Sequence, residues 1–206
     1  MSEALARVLE HPAIWRRSNP AAARLRALPT GVAELDARLP GGGWPLGALS
    51  EVLFAHDGLG ELGLLLPALA ELTQAKRRVV LVDPPYLPYA PAWAAAGVDL
   101  RYLTELRVAA TDAPWSMEQC LRSGCCGAVV GWLADTDYRN LRRLQLAAES
   151  GDAIAVLYRP EQHAAHTSPA ALRLHVHAVG DDIGVDVIKS RGAFPAQLPT
   201  TLSRMH

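Results

Sequence analysis

Apolar residues gather in two kinds of pattern along this chain. Unbroken apolar blocks at residues 79–82, 127–132 and 154–158, and a block at 48–54 interrupted by Ser50-Glu51, read as strands covered on both faces, as in a parallel sheet. Between them lie stretches of helical period at 61–76, 116–124 and 138–150. The last puts Leu141, Leu144 and Ala148 on one side and turns Arg139, Arg142 and Arg143 to solvent. Further on, apolar and polar residues alternate over 172–179 and 184–188 around Gly180-Asp181-Asp182. That predicts an antiparallel hairpin with His175 and His177 on its polar face. The succession predicts an α/β fold: one domain with a mostly parallel twisted sheet, helices on both faces and a C-terminal antiparallel hairpin.

Local signals refine the picture. Pro67 lies inside the 61–76 stretch and predicts a kink, because an interior proline costs about 3 kcal/mol. Thr30 is expected to cap a short helix ending near Leu39, and a glycine run at 41–43 then turns the chain into the first long strand. Ser116 is expected to open the helix that stops at Gly124, and Asp135 and Asp137 to cap the one after it. Residues 29–191 make the core, and two segments flank it. In the appendage 1–28, Leu5, Val8 and Leu9 share a face before a stop at Pro12. Its Trp15 and Arg16 either anchor a helix on the core or present an arm to a partner. The tail 192–206, with Phe194, Leu198 and Leu202 among prolines and threonines, is expected to be partly disordered and to fold on binding.

Composition narrows the classes. The 206 residues suit one domain with a full core; half are hydrophobic and a fifth charged, as in a soluble globular protein. A net charge of −1 argues against coating nucleic acid unaided, and leaves only a local patch such as Arg139, Arg142 and Arg143 for a DNA or acidic-partner contact. Cys120, Cys125 and Cys126 have neither zinc nor C-x-x-C spacing and read as small buried residues in a reducing cytoplasm. The leucine-rich run 62–70 is too short to span a bilayer, and the first residues do not form a secretory signal. His163 and His166 lack a third ligand nearby in sequence, and His175 and His177 read as surface residues, so no metal is expected.

The stretch 51–66, EVLFAHDGLGELGLLL, has the frame of a phosphate-binding loop between strand and helix. In the register starting at Ala55, Gly58 lies within the loop and Gly60 keeps the second glycine. Glu61 stands where a lysine would meet phosphate, and Leu62 where a hydroxyl would hold Mg²⁺. A carboxylate a few ångströms from a triphosphate costs on the order of several kcal/mol. The loop therefore predicts a nucleotide fold whose nucleotide site has been given up, with no cofactor.

Thr30-Gly31, Leu35-Asp36, the glycine run, Gly47 and Glu51, followed by VVLVD at 79–83 and VDVIKSRGAFP at 185–195, resemble the core of the RecA recombinase family. The resemblance implies a RecA-like domain, and it locates two more losses. Pro85 stands where the family's water-activating glutamate would be, and Gly131-Trp132 close a strand that would end in the metal-site aspartate. It also matches Lys189 and Arg191 to a basic pair at a subunit contact, here free to meet a partner. Tyr86, Tyr89 and Trp93 follow the Pro84-Pro85 pair and suit core packing or, less commonly, stacking on bases.

Within that superfamily, HPAIWRR at 11–17, LLLP at 64–67, WSMEQCLRSGCCGAVVGW at 115–132 and SPAALRLHV at 168–176 resemble the ImuA group of bacterial SOS-mutagenesis proteins. This resemblance implies a non-catalytic accessory of translesion synthesis that docks on an ImuB-type Y-family polymerase homologue, with RecA, an error-prone polymerase and DNA as further contacts. The alternative is a SulA-like division inhibitor acting on FtsZ, since that family is related to the same core without ATPase residues. A third reading is a RecA-like regulator that still binds nucleotide.

Overall fold

A computed structural model describes residues 26–191 and the backbone of 200–202. The expected appendage, including Trp15 and Arg16, therefore lies outside the described residues, as does the tail apart from one strand. Strand β1 (Ala27–Leu28) pairs antiparallel with β2 (Trp44–Pro45), and the short helix α1 (Ala33–Asp36) lies between them. The larger sheet then takes β3 (Ala48–Phe54), helix α2 (Leu66–Gln74), β4 (Arg78–Val82), α3 (Ala90–Ala95) and β5 (Leu103–Leu106). It continues through α4 (Ala113–Arg122), β6 (Cys126–Trp132), α5 (Tyr138–Glu149), β7 (Ile154–Pro160), β8 (Leu172–Val179), β9 (Asp182–Ser190) and β10 (Thr200–Leu202).

The eight strands lie in the order β10-β9-β8-β3-β7-β6-β4-β5. From β8 to β5 every pair is parallel, and β9 and β10 add antiparallel at the other edge. The α/β class, the parallel sheet and the C-terminal hairpin expected from the sequence are all present. β10 adds an eighth strand, which the tail's proline spacing did not predict.

Successive side chains of a strand point to opposite faces, so a strand covered on both sides must be apolar throughout. In β4, Val79 and Leu81 join one core with Trp44, Leu69, Val130 and Val156, whereas Val80 and Val82 join another with Met117, Leu121, Leu141 and Leu144. Helix α2 covers the first face, and α4 and α5 pack together on the second. Emptying one such leucine position to alanine costs about 2–5 kcal/mol.

Three helix starts differ from expectation. The 61–76 stretch is not one kinked helix: a 3₁₀ turn (Glu61–Leu64) comes first, and α2 begins at Leu66 with Pro67 in its opening turn. There a proline's missing N–H removes no hydrogen bond, so nothing kinks. Helix α4 likewise starts at Ala113 with Pro114 in its first turn, and Ser116 sits buried inside it rather than capping it. Val32, not Thr30, precedes α1; Thr30 instead accepts from the Val32 amide at 3.1 Å and donates its hydroxyl to Asp36 at 2.8 Å. Asp137 does cap α5, accepting from the Asn140 amide at 2.8 Å, while Asp135 stays exposed.

One ion cluster lies at the sheet centre. Glu51 of β3 is fully buried and receives Arg159 of β7 at 2.9 Å and Arg173 of β8 on its other oxygen. Arg159 also donates to the Thr136 carbonyl at 2.8 Å, and Arg173 to the carbonyls of His163, Ala164 and His166. The second set of bonds fixes the 3₁₀ turn Glu161–Ala165 against β8.

Candidate functional site

In an open parallel sheet, ligands meet the carboxyl ends of the strands. Here β3 leads at that edge into the loop 55–60, with Ala55 and Gly58 exposed at its turn. Gly60 has φ +94°, a left-handed conformation that favours glycine, and a Cβ on it would lie 2.6 Å from Ile183 Cδ1, so a side chain there would also have to push the tip of Ile183 aside. Glu61 follows at 8% exposure, and its Oε2 is buried with no hydrogen-bond partner. Because α2 starts only at Leu66, the 3₁₀ turn stands between the loop and the helix N-terminus. The amides that would gather on a phosphate are therefore not presented as one helix end.

Aromatic rings occupy the adjoining strand ends. Tyr158 of β7 is buried, donates its hydroxyl to the Glu61 carbonyl at 3.3 Å, and stacks on Trp132 of β6 with ring centroids 5.1 Å apart. Burial and, secondarily, the Glu61 charge push the Tyr158 hydroxyl well above its ordinary pKa. Between this wall and the segment 84–89 lies a cavity of about 540 Å³, lined by Gly60, Glu61, Leu62, Tyr86, Trp93 and Trp132 among others. A second hollow of about 380 Å³ shares Asp57, Pro85 and Trp132 with it.

The segment after β4 departs from the expected packing. Trp93 is buried at 6% exposure, but Tyr86, Leu87 and Tyr89 are 67%, 77% and 70% exposed. Asp83, at φ +50°, turns the chain out of the sheet, and Pro84, Pro85 and Pro88 keep it from forming a strand or helix that would fold these rings inward. The signal was in the sequence: a P-P-Y-L-P-Y run has no regular element with an apolar face to bury. Pro85 itself is exposed and supplies no proton acceptor.

The other expected contact residues are not gathered here. On α5, Arg139 and Arg142 are exposed, whereas Arg143 pairs with the buried Glu118, which also binds Arg122 at 3.0 Å. The three arginines therefore do not form one free basic face. Lys189 donates to the Ser168 carbonyl at 2.7 Å, and Arg191 lies 3.5 Å from Glu149. Both sit at the end of the sheet opposite the loop, since Lys189 pairs with Arg173 at the start of β8. Burial, then Arg191 and Arg173, lowers the Lys189 pKa. Among the described residues, no helix is long and apolar enough to cross a membrane.

The family model "Cell division inhibitor SulA" matches residues 47–155, a little over half of the 206-residue chain. The matched stretch runs from the start of β3 into β7 and so contains the loop, the cavity and the exposed aromatic segment. A curated relative named cell division inhibitor SulA from Edwardsiella piscicida is 34% identical over 100 residues, which are 48% of this chain and 60% of that protein. One from Shigella boydii serotype 4 is 30% identical over 137 residues, 64% of this chain and 80% of that protein. Of solved structures, SulA from Pseudomonas aeruginosa is 27% identical with a TM-score of 0.46, covering 54% of this chain and 97% of its own.

These matches overturn the ImuA resemblance and the translesion-synthesis role it implied. The ImuB-type polymerase homologue goes with it, as do RecA, the error-prone polymerase and DNA as its companions. The SulA-like alternative named beside it is the better supported one. The chain belongs to the SulA family of cell division inhibitors.

Proposed function

We propose that this protein arrests division in the cytoplasm by binding FtsZ directly and stoichiometrically, catalysing nothing itself, on a RecA-like core that has given up its nucleotide site. Membership of the SulA family supports the target. The observation that carries the reading is the exposed apolar rim of Tyr86, Leu87 and Tyr89 beside the cavity, inside the family-matched stretch. Large apolar side chains exposed together on one loop mark protein contacts, and tyrosine is among the side chains enriched where a partner desolvates them. Glu61 opposes a polyphosphate and Leu62 offers no metal ligand, which supports a protein partner over a nucleotide at this edge.

Phosphate release from GTP by FtsZ, measured with increasing amounts of the protein, tests this. Inhibition is expected to saturate near one chain per FtsZ, and Tyr86→Ser with Leu87→Ser is expected to weaken it at least about tenfold, the effect of losing an interface hot spot. The protein alone is expected to release no phosphate from ATP or GTP. Undiminished FtsZ turnover at a several-fold excess of folded protein would overturn the target, and unchanged inhibition by the double variant would overturn the surface.

A further inference from the structure

At the same carboxyl end of the sheet, where His175 is level with Leu53 of β3, the β8–β9 hairpin brings three potential ligands together. His175 and His177 are two apart on β8 and so share a face, and the register places His175 directly opposite Asp186 of β9. The Asp186 carboxylate lies 3.8 Å from His175 Nδ1 and 3.6 Å from His177 Nδ1. One ligand atom from each residue falls within 4.8 Å of the others. A zinc ion with bonds of about 2.0–2.2 Å in tetrahedral geometry sets its ligand atoms roughly 3.3–3.6 Å apart, so a small inward movement closes this set.

We propose that His175, His177 and Asp186 bind one divalent transition-metal ion, zinc by preference, with Glu161 orienting His175 from behind. Two imidazoles and a carboxylate suit zinc and leave a fourth position for water or another ligand. Three further observations point the same way. Glu161 Oε2 lies 3.1 Å from His175 Nε2, which keeps the proton on Nε2 and leaves the Nδ1 lone pair facing Asp186. His177 Nδ1 is buried with no hydrogen-bond partner, although the ring as a whole is 31% exposed. Its ring lies over Gly184, where a Cβ would come 2.3 Å from Nε2, so the absence of a side chain opposite makes room for the imidazole. Glu161 in turn belongs to the turn whose carbonyls Arg173 holds.

The hairpin follows the family-matched stretch, so this site is a feature of the chain outside that match. His163 and His166, whose Nδ1 atoms are 3.3 Å apart, belong to no such group of three among the described residues and serve as the control.

The full chain, stripped with a chelator and dialysed, is titrated with ZnCl₂ by calorimetry and with CoCl₂ by visible absorption. One zinc per chain at micromolar or tighter affinity, with the absorption bands of tetrahedral cobalt, is the expected result. His177→Ala and the nearly isosteric Asp186→Asn are each expected to weaken zinc at least about tenfold, and Glu161→Gln about tenfold, the usual effect of losing an outer partner. The double variant His163→Ala, His166→Ala is expected to bind as the parent does. Absence of saturable binding below millimolar zinc, full affinity in His177→Ala or Asp186→Asn, or loss of binding in the control would overturn the site. Undiminished affinity in Glu161→Gln would overturn the role given to Glu161.

Discussion

Glu51 and Glu61 are both buried, ten residues apart on either side of one loop, and they are treated in opposite ways. Glu51, at the sheet centre, has an arginine on each oxygen; Arg173 gives its remaining donors to backbone carbonyls, and Arg159 gives one to the Thr136 carbonyl while its Nε stays without a partner. Glu61, at the strand ends, keeps one oxygen with no partner and sits beside an apolar cavity. A buried charge is tolerated when paired and is a liability when it is not. Burial alone therefore does not separate the two: the first is tied into the scaffold, and the second stands partly unpaired beside the cavity.

The contrast breaks most sharply at the triad. Arg173→Met leaves Glu51 half-compensated and releases the 161–165 turn, and is expected to cost about 3–5 kcal/mol in urea denaturation. A loss below about 1 kcal/mol would mean that the cluster is solvated or redundant.

Tyr158 sharpens the comparison from the other side. Its folded-state pKa is raised, so the stability it contributes is fully present below about pH 10, where the unfolded phenol titrates, and declines as pH rises toward the folded value. Tyr158→Phe is expected to cost about 1 kcal/mol at neutral pH by losing the bond to the Glu61 carbonyl. It is also expected to flatten the alkaline decline in melting temperature above pH 10. An alkaline limb that stays as steep in the variant would place the titrating group elsewhere.

The smallest effect is expected at Glu61 itself. Glu61→Met removes a partly unsatisfied buried carboxylate at similar volume and is expected to leave stability unchanged or raise it by about 1 kcal/mol. A loss above about 2 kcal/mol would show that Glu61 has a stabilising partner and would remove the difference from Glu51.

The strands were legible because sheets covered on both faces leave continuous apolar blocks, as at 79–82 and 127–132. Helix starts were less so. The leucines of 62–66, interrupted only by Gly63, run through a 3₁₀ turn into α2, and periodicity cannot separate two helical pitches within one apolar run. Pro67 and Pro114 carried the missing information, since proline in a first turn marks a beginning. At the candidate site, the loop frame and its losses at Glu61 and Leu62 are readable in the sequence, whereas the exposure of Tyr86 and Tyr89 is not, since their spacing suits core packing or, less commonly, base stacking. Contacts across long separations, such as Glu51 with Arg173, leave no local pattern. The convergence of His175, His177 and Asp186 was half-legible: the alternation put the histidines on one face, and only the register of the hairpin supplied the carboxylate.

The position of β3 has a consequence for how the molecule comes into being. It is the first long strand made, yet both of its neighbours, β7 and β8, are encoded more than a hundred residues later. During synthesis its apolar ribbon must wait without a partner until most of the polypeptide has left the ribosome, and such late, distant pairing makes for slow folding with aggregation-prone intermediates. A protein built this way becomes competent only when nearly all of it has been translated, so its action begins with a delay set by chain growth and collapse.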